Sequence, residues 1–175
     1  MRLVLLVLLI LPALALAQTE EVEDAWAPLR PIIGQWEGTG SGPAGRSRIE
    51  ASYEFVLGDN YIEAWHRSMF EPSERNPDGE THEDRGFISY DGNRETFVFR
   101  QFHVEGFINR YTLDSLSTDG KTLYFNSEDI ENAPPGTRAK LEFHVVSDTE
   151  LTTSFHVAWP GTDFQCFSTN SLMRK

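Results

Sequence analysis

Gly34-Gln35-Trp36-Glu37-Gly38-Thr39-Gly40 follows a short apolar segment and opens a long series of alternating stretches. A Trp flanked by glycines on a first strand suits the floor of a small closed barrel. The indole plugs the end of the tube, while glycines let the strand bend and neighbouring backbone approach closely. Downstream of Gly34 the pattern switches to period two and stays there. Ile49, Ala51, Tyr53, Phe55 and Leu57 alternate with Glu50, Ser52 and Glu54, and Gly58-Asp59-Asn60 then makes a tight turn.

Further strands are expected over residues 61–70, 85–90, 95–103, 106–113, 122–126, 138–146, 151–158 and 163–173. With the Trp36 strand this makes about ten. Their turns carry Gly, Asp, Asn and Pro, and no crossover helix is available. The expected fold is therefore all-β, an antiparallel up-and-down barrel. Residues 71–84, rich in Pro, Asp, Glu and Asn, are expected to be a long polar loop.

Upstream, residues 20–33 carry Val22, Trp26, Leu29, Ile32 and Ile33 at roughly helical spacing, interrupted by Pro28 and Pro31. A short N-terminal helix over 18–33, closing one barrel end, is the expectation. Met1-Arg2, apolar residues 3–17 and Ala15-Leu16-Ala17 read as a secretory signal peptide over 1–17, too short for a membrane span. The expected organisation is thus 1–17 signal, 18–33 helical segment and 34–175 barrel, in an exported protein, periplasmic or secreted.

Fifteen Lys and Arg stand against 27 Asp and Glu; without Arg2 the balance is 14 against 27, a net of −13. So acidic a surface argues against nucleic acid and, after cleavage, against membrane partners. Cys166 is alone, so no internal disulfide forms, and Phe164-Gln165-Cys166-Phe167 reads as a strand with a small buried Cys. Twelve Phe, five Tyr and four Trp supply a core.

The opening motif and strand layout resemble the calycin barrels, the lipocalin and fatty-acid-binding architecture. The longer Gly34-x-Trp36-x-Gly38-x-Gly40 resembles more closely the opening of the nitrobindin-like heme-binding β-barrels. That resemblance implies a ligand inside the barrel and heme iron held by a His near the C-terminus. The last His here is His156, and residues 163–173 contain none.

None of the five His (His66, His82, His103, His144, His156) forms an H-x-H or H-x-x-x-H pair, so no metal site is expected. His82 falls in the polar loop and His144 on the outer face. His66 and His103 share faces with apolar residues and are the candidates for an inward imidazole. Glu128-Asp129-Ile130-Glu131-Asn132 lacks calcium-loop spacing and reads as a solvated rim. G-x-S-x-G, phosphate-cradling glycine loops and C-x-x-C are all missing.

Binding therefore leads over catalysis: an exported lipocalin-like protein holding a small apolar or amphipathic molecule. The expected lumen residues are Tyr53, Phe55, His66, Phe97, Phe99, Gln101, His103, Asn109 and Tyr111, with Trp36 closing one end. Heme is the alternative ligand. The same residues also admit an enzyme, with His66 or His103 as acid/base near Tyr53 or Tyr111. A filled barrel without a pocket would have neither function.

Overall fold

In the second strand of a computed structural model of the protein, Ser47, Ile49, Ala51 and Tyr53 are buried while Arg46, Arg48 and Glu54 are exposed, the alternation of a sheet with one face on a core. The structure describes residues 24–74 and 76–175. Ten such strands form one closed antiparallel barrel: β1 (Gly34–Gly42), β2 (Gly45–Val56), β3 (Tyr61–Phe70), β4 (Glu80–Asp91), β5 (Thr96–His103), β6 (Ile108–Leu116), β7 (Thr122–Glu131), β8 (Arg138–Ser147), β9 (Glu150–Ala158) and β10 (Gln165–Arg174). Each strand pairs with its sequence neighbours. β1 closes on β10, with Trp36 opposite Arg174 and Gly40 opposite Asn170.

The helix expected over 18–33 is not seen among the described residues. Turns run into a single 3-10 turn, Arg30–Ile32, while residues 18–23 and the signal segment 1–17 lie outside the described residues. Pro28 and Pro31 lack the N–H that a continuing α-helix needs, and the chain instead makes short bonds such as Leu29 N to Trp26 O at 2.9 Å.

This turn still caps the barrel. Leu29, Ile32 and Trp36 are buried, and Trp36 Nε1 donates to Ile32 O at 2.8 Å. The Arg174 guanidinium lies 4.2 Å from the indole ring centre. It also donates to the carbonyls of Pro31 (2.8 Å), Asp148 (2.7 Å) and Ile33. Gly34 has φ +133°, and a Cβ there would collide with Arg174 Nη1, so the clasp requires glycine. Trp26 packs on Phe55 and Phe97 at 5.3 and 5.1 Å between ring centroids. Above this floor Phe125 packs edge-on against Phe143 and Phe99, and Tyr111 stacks on Phe99. The closed end of the barrel is therefore packed with aromatic side chains.

Two further expectations change. β4 begins at Glu80, so residues 80–84 belong to a strand rather than to the polar loop. Cys166 is exposed, not buried: the ladder to β9 slips between Cys166 and Ser168, and the bulge changes which side chains face in.

Candidate functional site

At the other end the barrel is open, with a cavity of about 360 Å³. Pockets for small molecules run from about 300 to 1,000 Å³. Its walls are unlike one another. β7–β10 contribute a mainly apolar wall, Ile130, Ala139, Leu141, Phe143, Phe155 and Val157 with Trp159 and Phe167 at the rim, broken by Thr153, Ser168 and Asn170. β3–β6 contribute all the lining's imidazoles and its buried carboxylate, as His66, His82, Asp84, Gln101, His103 and Asn109 with Glu80 and Glu105 near the mouth, beside the apolar Ala64, Phe70 and Phe99. Among the described residues that line it there is no Lys or Arg.

The polar wall is organised around Asp84, whose carboxylate is buried. Gln101 Nε2 donates to Oδ1 at 2.6 Å, and His66 Nδ1 lies 3.1 Å from Oδ2. His82 sits between two carboxylates, with Nδ1 2.5 Å from Glu105 Oε1 and Nε2 3.6 Å from Asp84 Oδ2. Burial pushes the Asp84 carboxyl up, but the hydrogen bond with His66 and the nearby His82 imidazole outweigh it and hold the group well below the usual carboxylate range. The Asp84 carboxylate, with Glu105 adding to it against the cost of burial, raises His82 to about 9. His103 goes the other way: desolvation lowers it to about 4, against the attraction of Asp84, so it is neutral. Its ring stacks on Phe107 at 4.1 Å. Nε2 lies 3.0 Å from the Asn109 amide nitrogen, while the buried Nδ1 and the Asn109 Oδ1 have no partner among the described residues.

Of the nine residues expected in the lumen, Tyr53, His66, Phe99, Gln101, His103 and Asn109 line the cavity. Phe55 and Phe97 do not. They point inward, but their register places them at the closed end against Trp26. Tyr111 is buried below the cavity, held by Asn109 Nδ2 at 2.8 Å. Burial pushes the phenols of Tyr53 and Tyr111 up, so both are neutral and neither serves as a base. His144 is exposed on the outer face, where it meets Thr122 Oγ1 at 2.8 Å.

Sequence reasoning missed His82, Asp84 and Glu105. The signal was in β4: the inward parity of Ile88 and Gly86 continues back to Asp84 and His82. The fold also assembles His82, Asp84 and His103 with ligand atoms within 4.8 Å of one another, a metal-capable set that spacing along the chain did not suggest. In β10 the inward polar residue is Asn170, which donates to Thr153 Oγ1 at 3.0 Å and lies 3.4 Å from His66 Nε2. A Cβ at Gly40 would collide with Asn170 Oδ1, so glycine there makes room for this amide.

Comparison with known proteins gives three findings. A family model described as a THAP4-like, heme-binding beta-barrel domain matches residues 25–174. No curated protein matches the chain by sequence. Among solved structures, the crystal structure of Rv2717c from M. tuberculosis is similar with a TM-score of 0.65 and 18% identity, over 86% of this chain and 97% of that one, a likeness of fold. A redesigned β-barrel is similar with a TM-score of 0.41 and 11% identity, over 83% of this chain and 92% of that one.

Proposed function

The chain belongs to the THAP4-like heme-binding β-barrel family, and from that premise we propose that it is a binding protein whose lumen takes a planar amphipathic molecule, heme first, through the open end. The observation that carries this is the gathering of the cavity's imidazoles on β3–β5, facing a mainly apolar wall from β7–β10. A flat macrocycle with a metal centre suits both.

The residues present fit heme by a different route from the C-terminal His that the nitrobindin resemblance implies. His66 has Nδ1 on the Asp84 carboxylate, which orients the ring and leaves Nε2 facing Asn170 of the final strand. A carboxylate behind an imidazole is how proteins orient a ligating His. Thus β3 brings an imidazole up against the strand from which the family's ligand would come. His66 would hold the iron, and Phe143, Phe155 and Val157 would cover the macrocycle. Bound heme would supply a redox-active iron, and the imidazole of His66 would hold it.

A second reading, a neutral apolar guest, is favoured by one observation: the described lining offers no Lys or Arg to meet a ligand carboxylate, the charge on His82 is already matched by Asp84 and Glu105, and Glu80 stands at the mouth. Our proposal also has the protein act outside the cytoplasm. It rests there on the apolar residues 3–17 and the Ala15-Leu16-Ala17 cleavage pattern. Hemin titration separates the two ligand readings. A saturable Soret shift at one equivalent is expected; no shift, with uptake of a neutral apolar dye, would favour the second.

A further inference from the structure

His82 and Asp84 are alternate residues of β4 and share its inner face, and His103 of β5 stands directly opposite Asp84 in the ladder. All three are therefore set by strand register rather than by a loop. Each has one side occupied by an outer partner: Glu105 on His82 Nδ1, Gln101 and His66 on the two Asp84 oxygens, and the Asn109 amide against His103 Nε2. What remains faces inward. His82 Nε2 stops 3.6 Å from Asp84 Oδ2, and His103 Nδ1 is buried with no partner.

A gap of 3.6 Å is too long for a hydrogen bond. It is near the spacing of two ligands on one ion, since bonds of about 2.0–2.2 Å put ligand atoms roughly 3–3.5 Å apart. One ligand atom from each of the three residues lies within 4.8 Å of the others, so small side-chain rotations bring them onto a common centre.

We propose that His82, Asp84 and His103 form a mononuclear site for a divalent transition metal of the zinc or ferrous class, opening onto the lumen. Two imidazoles and one carboxylate select such ions over calcium and magnesium, which take oxygen ligands. Three protein ligands leave coordination positions for water or for a guest in the cavity. The outer partners suit a built site: a carboxylate behind one imidazole and two donors on the carboxylate, while behind the other imidazole the Asn109 amide must turn over, so that its oxygen accepts from His103 Nε2–H and frees Nδ1 of its proton. The site shares Asp84 with His66, whose Nδ1 meets the same carboxylate, but Nε2 of His66 points to Asn170 and is not among its ligands.

The test uses untagged, chelator-treated protein with Co(II) alone, followed by visible absorption, and Zn(II) alone, followed by calorimetry. One equivalent should bind, with ligand-field bands from Co(II). His82→Ala and His103→Ala should each weaken binding at least tenfold, Gln101→Ala and Glu105→Ala by about tenfold, and His144→Ala and His156→Ala not at all. Should His103→Ala fail to fold, His82→Ala still decides, because its side chain is nearer the mouth and 26% exposed. No saturable uptake by the folded protein, or equal uptake by a folded His82→Ala variant, would overturn the site. No heme is present in either titration, so failure here leaves the ligand proposal standing.

Discussion

At the closed end, the Arg174 guanidinium donates to three carbonyls and lies over Trp36, whose own N–H is bonded to Ile32. At the open end, His103 Nδ1 and Asn109 Oδ1 are buried without partners, and His82 stands between two carboxylates. Both regions lie inside the same barrel and are drawn from neighbouring strands. In the first, each named donor is answered within the chain, which is what stability asks of buried polar groups. In the second, polar atoms are desolvated and left available. Unpaired buried atoms cost free energy, and two of the four among the described residues, His103 Nδ1 and Asn109 Oδ1, sit together on this wall.

Truncating the plug breaks the comparison most severely. Trp36→Ala removes a buried indole and should cost about 3–5 kcal/mol, lowering the melting midpoint by roughly 6–20 °C for a chain of this size. A midpoint unchanged in differential scanning calorimetry would mean that the closed end does not carry the stability. Arg174→Ala removes the cation–π contact and three charge-assisted bonds from a partly exposed side chain. A loss of about 1–3 kcal/mol is expected in urea unfolding, and a neutral result would reduce the clasp to decoration.

The closed end was legible in the sequence because its signal is local. Gly34, Trp36 and the strand alternation are read within a few residues, and the strand count follows from turn chemistry. The N-terminal helix failed for an equally local reason, two prolines against an apolar period. The open end was not legible because depth along the barrel axis is set by register between strands. Alternation places Phe55, Phe97 and Phe99 inward without saying that only Phe99 reaches the cavity. In β4, the polarity of residues 80–84 concealed a strand, and with it Asp84. At Cys166 a bulge reversed the parity.

A smaller effect, in the shape of a curve rather than its height, sharpens the contrast. His82 titrates near 9 in the fold against 6.5 ordinarily, so its stabilising contribution is whole below pH 6.5 and is lost as pH rises toward 9. His103, near 4 against 6.5, contributes fully above 6.5 and loses that contribution as pH falls toward 4. The depressed Asp84 carboxyl extends the acid limb below its ordinary 3.8. The melting midpoint of chelator-treated protein should peak near pH 6.5. His82→Gln should flatten the alkaline limb and His103→Gln the acid limb, while Trp36→Ala lowers the whole curve without changing its shape. A wild-type profile flat from 6.5 to 9 would remove His82 from the account.

The most direct measurement is a hemin titration of wild type and His66→Ala, with melting midpoints recorded on both apo-proteins. If the lumen wall serves binding and the closed end serves stability, wild type gives a saturable Soret shift, and His66→Ala loses it or needs at least tenfold more hemin while melting within a few degrees of wild type. A Soret shift that survives in folded His66→Ala, or a variant that unfolds as Trp36→Ala does, would contradict that division.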